Sequence, residues 1–310
     1  MTANLPPSES ELASTGGSGT STQKTEPEYN FPLSEIPKNP LGEGRYIKTA
    51  AALIIGPSTE TQTSSHDTAL NRALNSRRKR IEVIADDENE IIEASRRMVK
   101  SYDFVITSGG IGPTHDDITY ASLAKSFNQS LVHHAETLSR MAEMSKHRWP
   151  TMAQQNNEQK TARERMALFP DKAEVLFVAR DLWVPVVRLE GKLCVFPGIP
   201  RLFQRMLESL TPFLPLPPPD QRPCRQQVFT TLPESSIAPY LTELQARTKD
   251  QGVRVGSYPL LSYGVYVSLI GLDAAAVRSL ADEVAGKLNG RLVTDEEARE
   301  MVRQKEKGAA

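Results

Sequence analysis

The chain has 310 residues, enough for about two domains of roughly 150 residues each. Its apolar content of 39% is low for a fully packed chain and predicts a disordered stretch. Lys and Arg total 37 against 38 Asp and Glu, a net charge of -1, which gives no electrostatic footprint for nucleic acid or for an anionic membrane surface. No run approaches the roughly 18 apolar residues of a membrane span. Cys194 and Cys224 stand far apart, which excludes a Cys-x-x-Cys zinc site and a disulfide scaffold. The expectation is a soluble, reduced, cytoplasmic protein with neither a nucleic-acid nor a membrane partner.

Residues 1–45 read as a disordered tail. Ser, Thr, Gly, Pro and Glu dominate them, and Ser14-Thr-Gly-Gly-Ser-Gly-Thr-Ser-Thr22 cannot bury enough apolar surface to offset its ordering entropy. No charged start is followed by an apolar run, so a secretory signal is not expected. Glu9 and Glu11 precede the first Lys, unlike an acid-poor transit peptide.

From Thr49 the pattern changes. Thr49–Ile55 is a continuous apolar run closed by Gly56-Pro57, as in a strand buried on both faces. Then come a helix-like stretch (Asp67 to Ser76), a strand (Ile81 to Ala85), and a helix over Glu88 to Lys100 with Ile91, Ile92, Ser95, Met98 and Val99 at helical spacing. Phe104–Thr107 is the next strand, followed by a Gly-rich loop and a helix carrying Tyr120, Leu123, Ala124 and Phe127. Strands alternating with helices predict a three-layer α/β domain with a mostly parallel sheet, over residues 46–211. Further helices are expected over Ala135 to Lys146 and Asn156 to Ala167. A hairpin follows, Val184 to Leu189 with Leu193 to Phe196, turning at Glu190-Gly191. Pro197-Gly-Ile-Pro200 then opens another helix.

Six prolines between Thr211 and Pro223 predict a stiff extended linker over 212–224. Beyond it, strand, helix, two strands, helix and strand over 225–294 follow the β-α-β-β-α-β order of a smaller ferredoxin-like domain. Residues 295–310 read as a charged tail.

The chemistry concentrates in Thr107-Ser-Gly-Gly-Ile-Gly-Pro-Thr-His-Asp-Asp117. This loop leaves the C-terminal end of a strand, where ligands bind in open α/β sheets. Gly109, Gly110 and Gly112 allow close backbone approach, and their amides with the following helix N-terminus make a phosphate seat. The third Gly of a Rossmann fingerprint is replaced by His115, and no Gly-Lys-Ser/Thr is present. Asp116 and Asp117 beside an anion seat fit either a bridging Mg²⁺ or a helix cap. His115 fits an acid–base role or a plain hydrogen bond. Elsewhere the blander readings are preferred: Arg77-Arg-Lys-Arg80 as a solvated helix end, Arg163 and Arg165 as a polar helix face, Trp149 and Trp183 as rim packing, and Cys194 as core.

Ser108-Gly-Gly-Ile-Gly-Pro-Thr-His-Asp-Asp117 resembles the signature loop of the MoaB/Mog superfamily, the molybdopterin-binding-like fold. Met166-Ala-x-Phe-Pro170, Val195-Phe-Pro-Gly-Ile-Pro200, Ser236-Ile-Ala-Pro239 and Val255-Gly-Ser-Tyr-Pro259 extend the likeness to the branch shared by CinA and the N-terminal part of eukaryotic FAD synthases. The resemblance implies metal-dependent cleavage of a nucleotide pyrophosphate, FAD to FMN and AMP, with Mg²⁺ or Co²⁺ and K⁺ as candidate cofactors and a dimer or trimer as the assembly. Carried over by position, Ser108, Gly109, Gly110, Gly112, Pro113, Thr114, Gly56 and Gly198 would surround the ligand. Asp116 and Asp117 would hold the metal, with Asp67 as the third catalytic candidate. ADP-ribose is an alternative substrate. Two rival readings are a molybdopterin-binding protein of cofactor synthesis and a nucleotide-binding module that has lost turnover.

Departures favour the last rival. The family's Gly-Asp-Glu after the first strand is Gly56-Pro-Ser-Thr-Glu60 here, its Asp-Thr-Asn is Asp67-Thr-Ala69, and the segment up to Asp87 is short. No stretch resembles the FAD-synthesising adenylyltransferase domain or the CinA amidohydrolase domain, so synthesis of FAD by this chain alone is not expected.

Overall fold

The computed structural model describes residues 29–56, 78–148, 155–260, 263–294, 297–298 and 300. The first domain is built on a six-stranded sheet. In chain order, β1 (Thr49–Ile55), β2 (Arg78–Ile84), β3 (Phe104–Ser108), β6 (Glu174–Leu176), β7 (Val186–Leu189) and β8 (Leu193–Phe196) are arranged β2-β1-β3-β8-β7-β6. The first four positions of that order run parallel, β7 runs antiparallel to its two neighbours, and β6 returns to the direction of the first four.

Both faces of the sheet are covered, which is why β1 and β3 are apolar throughout. Alternate residues go to opposite layers. Ala50, Ala52, Phe104, Ile106, Cys194 and Phe196 face α5 (Pro200–Leu210), whose Phe203, Met206, Leu207 and Leu210 are fully buried. Burial of each such side chain contributes at most about 2–3 kcal/mol. Ala51, Leu53, Ile55 and Val105 face α1 (Glu88–Ser101) and α2 (Thr119–Ser126) through Ile91, Ala94, Met98, Tyr120 and Leu123. The expected three-layer α/β domain is therefore the observed one. The Glu190-Gly191 turn holds both residues at positive φ, 51° and 65°, as a type I′ hairpin turn requires. Cys194 is buried core, and burial pushes its thiol up to about 12.

A second, smaller sheet follows, built from β9 (Cys224–Thr230), β10 (Arg254–Leu260), β11 (Gly264–Gly271) and β12 (Arg291–Val293) in the order β10-β11-β9-β12, antiparallel throughout. Helices α6 (Glu234–Thr248) and α7 (Ala274–Lys287) cover one face through Ile237, Leu244, Val277 and Val284. Strand order and connectivity are those of a ferredoxin-like unit.

Several local expectations need correction. Residues 29–45, read as part of the disordered tail, are packed. Phe31 pairs its amide with the Arg180 carbonyl, and Leu41 joins the core. The Arg140 guanidinium lies over the rings of Phe177 and Phe31, so an aromatic anchor outweighs the polar composition around it. Arg78–Arg80 begin β2 and are not a helix end, because their backbone pairs in parallel with Thr49–Ala51 of β1; Arg77 lies outside the described residues. The Pro-rich stretch is not uniformly extended. Thr211–Phe213 and Pro219–Gln221 are 3-10 turns with proline in the first turn, where a missing N–H costs nothing, and Phe213 and Leu214 are buried. The helix expected to reach Ala167 is α4 (Asn157–Glu164), followed by a 3-10 turn, Arg165–Ala167. Leu168–Pro170 is then a strand, β5, paired with an unforeseen β4 (Leu131–His133). Helix α3 spans Ala135–Arg148. The helix expected over Asp67 to Ser76 lies outside the described residues.

Candidate functional site

The chain crosses from β1 outward to β2 and then back to β3 on the other side of β1, so the sheet has its topological switch between β1 and β3. Ligands bind outside the carboxyl ends of strands at such a point. Four segments leave that end: Gly56 after β1, Asp86 after β2, the Gly-rich loop after β3, and Pro197-Gly198 after β8.

Two glycines fix the loop. Gly109 has φ +107°, and a Cβ there would stand 2.2 Å from the Ile55 carbonyl oxygen. Gly110 has φ +64°, and its Cβ would meet Thr119 Oγ1 at 2.3 Å. Neither position accepts a side chain. The loop is also bonded to its neighbours. The Gly109 amide donates to the Phe196 carbonyl, and Thr119 donates its hydroxyl to the Gly109 carbonyl and its amide to the Gly110 carbonyl. Ser108 donates to the Pro197 carbonyl at 3.2 Å, and a Cβ on Gly198 would lie 3.3 Å from the Gly109 Cα. Ser108 and Gly198 thus position the loop, with the Ser108 hydroxyl turned into the structure.

The carboxylates divide their work. Asp117 Oδ2 accepts from the Thr114 amide at 2.9 Å and from the Thr114 hydroxyl, which closes the Gly112–Asp117 turn. Helix α2 starts after Ile118 with no side-chain cap, so neither Asp116 nor Asp117 caps it. Asp116 is exposed. Nearby Thr114, its own amide and the charge of His115 hold its carboxyl below the usual Asp range, although the Thr114 hydroxyl proton itself goes to Asp117. Pro113 and His115 are exposed on the same loop. Asp67 lies outside the described residues.

One residue escaped the sequence reading. Asp86 is half-buried at the end of β2, with its carboxylate 3.1 Å from where a Gly56 Cβ would be and 3.4 Å from where a Gly110 Cβ would be. Burial raises its pKa, and the charges of Asp116 and Asp117 raise it further. The neighbouring Asp87 caps α1 by accepting from the Asn89 and Glu90 amides. The available signal was position: Asp86 is the first acidic residue past a parallel strand at the ligand-binding edge. Among the described residues no three His, Cys, Asp or Glu side chains converge into a metal site.

Comparison with known proteins places this geometry. The model for a probable molybdopterin binding domain matches residues 67–216, and that for the middle domain of FAD synthase matches residues 222–297. A protein of Pyrobaculum arsenaticum is 31% identical over 226 residues, covering 69% of this chain and 82% of its own length. The chain belongs to the MoaB/Mog molybdopterin-binding-domain family. Within that family it is similar to a probable FAD synthase of Caenorhabditis elegans, 30% identical over 264 residues that cover 78% of this chain and 51% of the relative. The chain thus spans about half the length of the FAD-synthase relatives it matches. The CinA protein of Thermoplasma acidophilum, of unknown function, aligns at 24% identity with a TM-score of 0.43, covering 53% of this chain and 95% of its own. Among the described residues no helix is long and apolar enough to cross a membrane.

Proposed function

We propose that the chain binds a nucleotide pyrophosphate at the Gly-rich loop and hydrolyses it, with FAD as the substrate and FMN and AMP as products. The observation that carries this reading is the opening at the sheet's switch point, where a glycine loop held rigid on both sides meets three aspartates. Oriented backbone amides at a helix start attract phosphate oxygens. The preference for FAD rests on the likeness of residues 222–297 to the middle domain of FAD synthase.

The residues suit a hard divalent cation shared with the substrate. Burial raises the Asp86 pKa and the charges of Asp116 and Asp117 raise it further, so three carboxylates crowd one opening and make a negative field that a cation would relieve. Carboxylate oxygens are the donor type that a hard divalent cation such as Mg²⁺ takes, and Co²⁺ accepts them as well. Asp116, ionised and exposed, would hold such an ion, with Asp117 beside it. Such an ion would supply charge neutralisation of the diphosphate and a lowered pKa for a water beside it.

The chain's own residues do the rest. The Gly109 and Thr114 amides are engaged by the Phe196 carbonyl and by Asp117, so the amides between them bind and orient the diphosphate, and Asp117 keeps the loop closed through Thr114. Asp86, whose pKa is raised by burial and by its acidic neighbours, accepts the proton as water oxygen bonds to one phosphorus. The bridging P–O bond breaks, and two monophosphates leave.

The test is FAD cleavage by the purified protein with Mg²⁺, Mn²⁺ or Co²⁺, following FMN and AMP, with EDTA as control. Metal-dependent release of both products is expected. Absence of cleavage with every metal refutes hydrolysis. Tight pterin binding in that case favours the rival reading, a molybdopterin-binding protein, which draws on the family model over residues 67–216.

A further inference from the structure

We propose that Ile199 is the wall on which the planar ring of the bound nucleotide lies, and that it sets the preference for a ring-bearing pyrophosphate over a bare one. The inference rests on the pyrophosphate reading of the same opening. Ile199 is 63% exposed, among the most exposed large apolar side chains of the described residues. Single exposed apolar residues are ordinary on protein surfaces. Ile199 differs in where it stands and in how little it can move.

It follows Gly198, whose Cα side presses on Gly109, so it flanks the loop that seats the phosphates. Pro197 and Pro200 bracket the segment. The Pro197 carbonyl is held by Ser108, and the Ile199 carbonyl accepts from the Phe203 amide at 2.9 Å as α5 begins. Backbone angles of φ -71° and ψ 114° are therefore fixed by neighbours on both sides. The residues on either side of it belong to the closed core, Phe196 and Phe203 being fully buried with ring centroids 5.3 Å apart, whereas the Ile199 side chain stands in solvent. Among the described residues, the glycine backbone of the loop and the carboxylates of Asp86, Asp116 and Asp117 bring polar groups to the same edge. Ile199 thus offers an apolar face beside a phosphate seat, the pairing needed by a nucleotide with a planar ring at one end and a diphosphate at the other.

A rim contact of this size predicts an effect of about tenfold for removal of the side chain beyond Cβ. The experiment is equilibrium titration of the full chain and its Ile199→Ala and Ile199→Leu variants with FAD and with inorganic pyrophosphate, in Mg²⁺. Alanine leaves the exposed helix start no worse capped than isoleucine does, so thermal unfolding serves as the check that the variant folds. The expected result is FAD affinity about tenfold weaker in Ile199→Ala, near wild type in Ile199→Leu, and pyrophosphate affinity unchanged in both. Wild-type FAD affinity in Ile199→Ala overturns the proposal and leaves the pyrophosphate reading standing. Equal losses for FAD and pyrophosphate also overturn it, since Ile199 would then shape the loop and not contact a ring. If the wild type binds neither ligand, the pyrophosphate reading fails and the proposal falls with it.

Discussion

Gly109→Ala tests whether the loop is held by close backbone packing. The native residue has φ +107°, and the new Cβ would lie 2.2 Å from the Ile55 carbonyl oxygen and 3.3 Å from its carbon. Relief to ordinary contact needs a shift of about 1 Å. Ile55 ends a strand paired on both sides, so the loop must be what moves. The backbone term is about 1–2 kcal/mol and overpacking adds roughly 1–3 kcal/mol. Their sum, about 2–5 kcal/mol, lowers the melting temperature by roughly 5–15 °C. Gly44 supplies the control, since it has φ +70° and a Cβ added there would find nothing within 4 Å, so Gly44→Ala carries the backbone term alone. Thermal unfolding and FAD titration of the two variants side by side separate the effects. Gly109→Ala should melt lower than Gly44→Ala and lose at least tenfold in FAD affinity, because the amides no longer point where the phosphates sit. Equal melting temperatures with wild-type FAD affinity in both would refute the claim that this contact sets the loop.

Other perturbations follow from the same geometry. Asp117→Ala removes the acceptor for the Thr114 amide and hydroxyl and should weaken FAD binding, whereas Asp117→Asn keeps an acceptor oxygen and should bind closer to wild type; titration with FAD ranks the three. Asp86 has a folded-state pKa raised above its ordinary value, so its contribution to stability is complete at low pH and is lost as pH rises through that value. Asp86→Asn should therefore melt higher than wild type at pH 7, with the gap closing below about pH 4, where an unperturbed Asp is protonated; a gap independent of pH argues against charge crowding. Phe31→Ala removes the ring stacked beside Tyr29 and over Arg140, which should cost about 3 kcal/mol in denaturant unfolding and leave FAD affinity unchanged.

Local pattern carried the fold where each element's burial is set by its immediate neighbours. The apolar run of β1, the helical spacing of α1 and the Glu190-Gly191 turn all state their structure within a few residues. Partners far apart in sequence were not visible. Nothing near Phe31 announces Arg140, more than a hundred residues on, and Leu131–His133 is an exposed three-residue strand whose partner β5 sits among Met166-Ala-Leu-Phe-Pro170. The loop glycines were legible because only a tight turn needs so many. Asp86 was not, because Asp86-Asp87 before an amphipathic helix reads as a cap signal, and spacing does not say which of two adjacent carboxylates turns to the amides.

That ambiguity recurs at the second acidic pair and is resolved in the same way. At Asp86-Asp87 the second residue accepts backbone amides at the start of α1 and the first faces the glycines. At Asp116-Asp117 the second accepts the Thr114 amide and the first stands exposed. Each pair thus carries one carboxylate that shapes the backbone and one left for the opening. A single aspartate at either place would have to choose, since lone pairs already accepting backbone amides are not open to a ligand. Pairing also explains why Asp86 is perturbed upward while Asp116 is perturbed downward: the first is half-buried within reach of both acidic neighbours, and the second is exposed with donors beside it. Two carboxylates of opposite tendency at one opening suit a reaction in which one group stays ionised and the other accepts a proton.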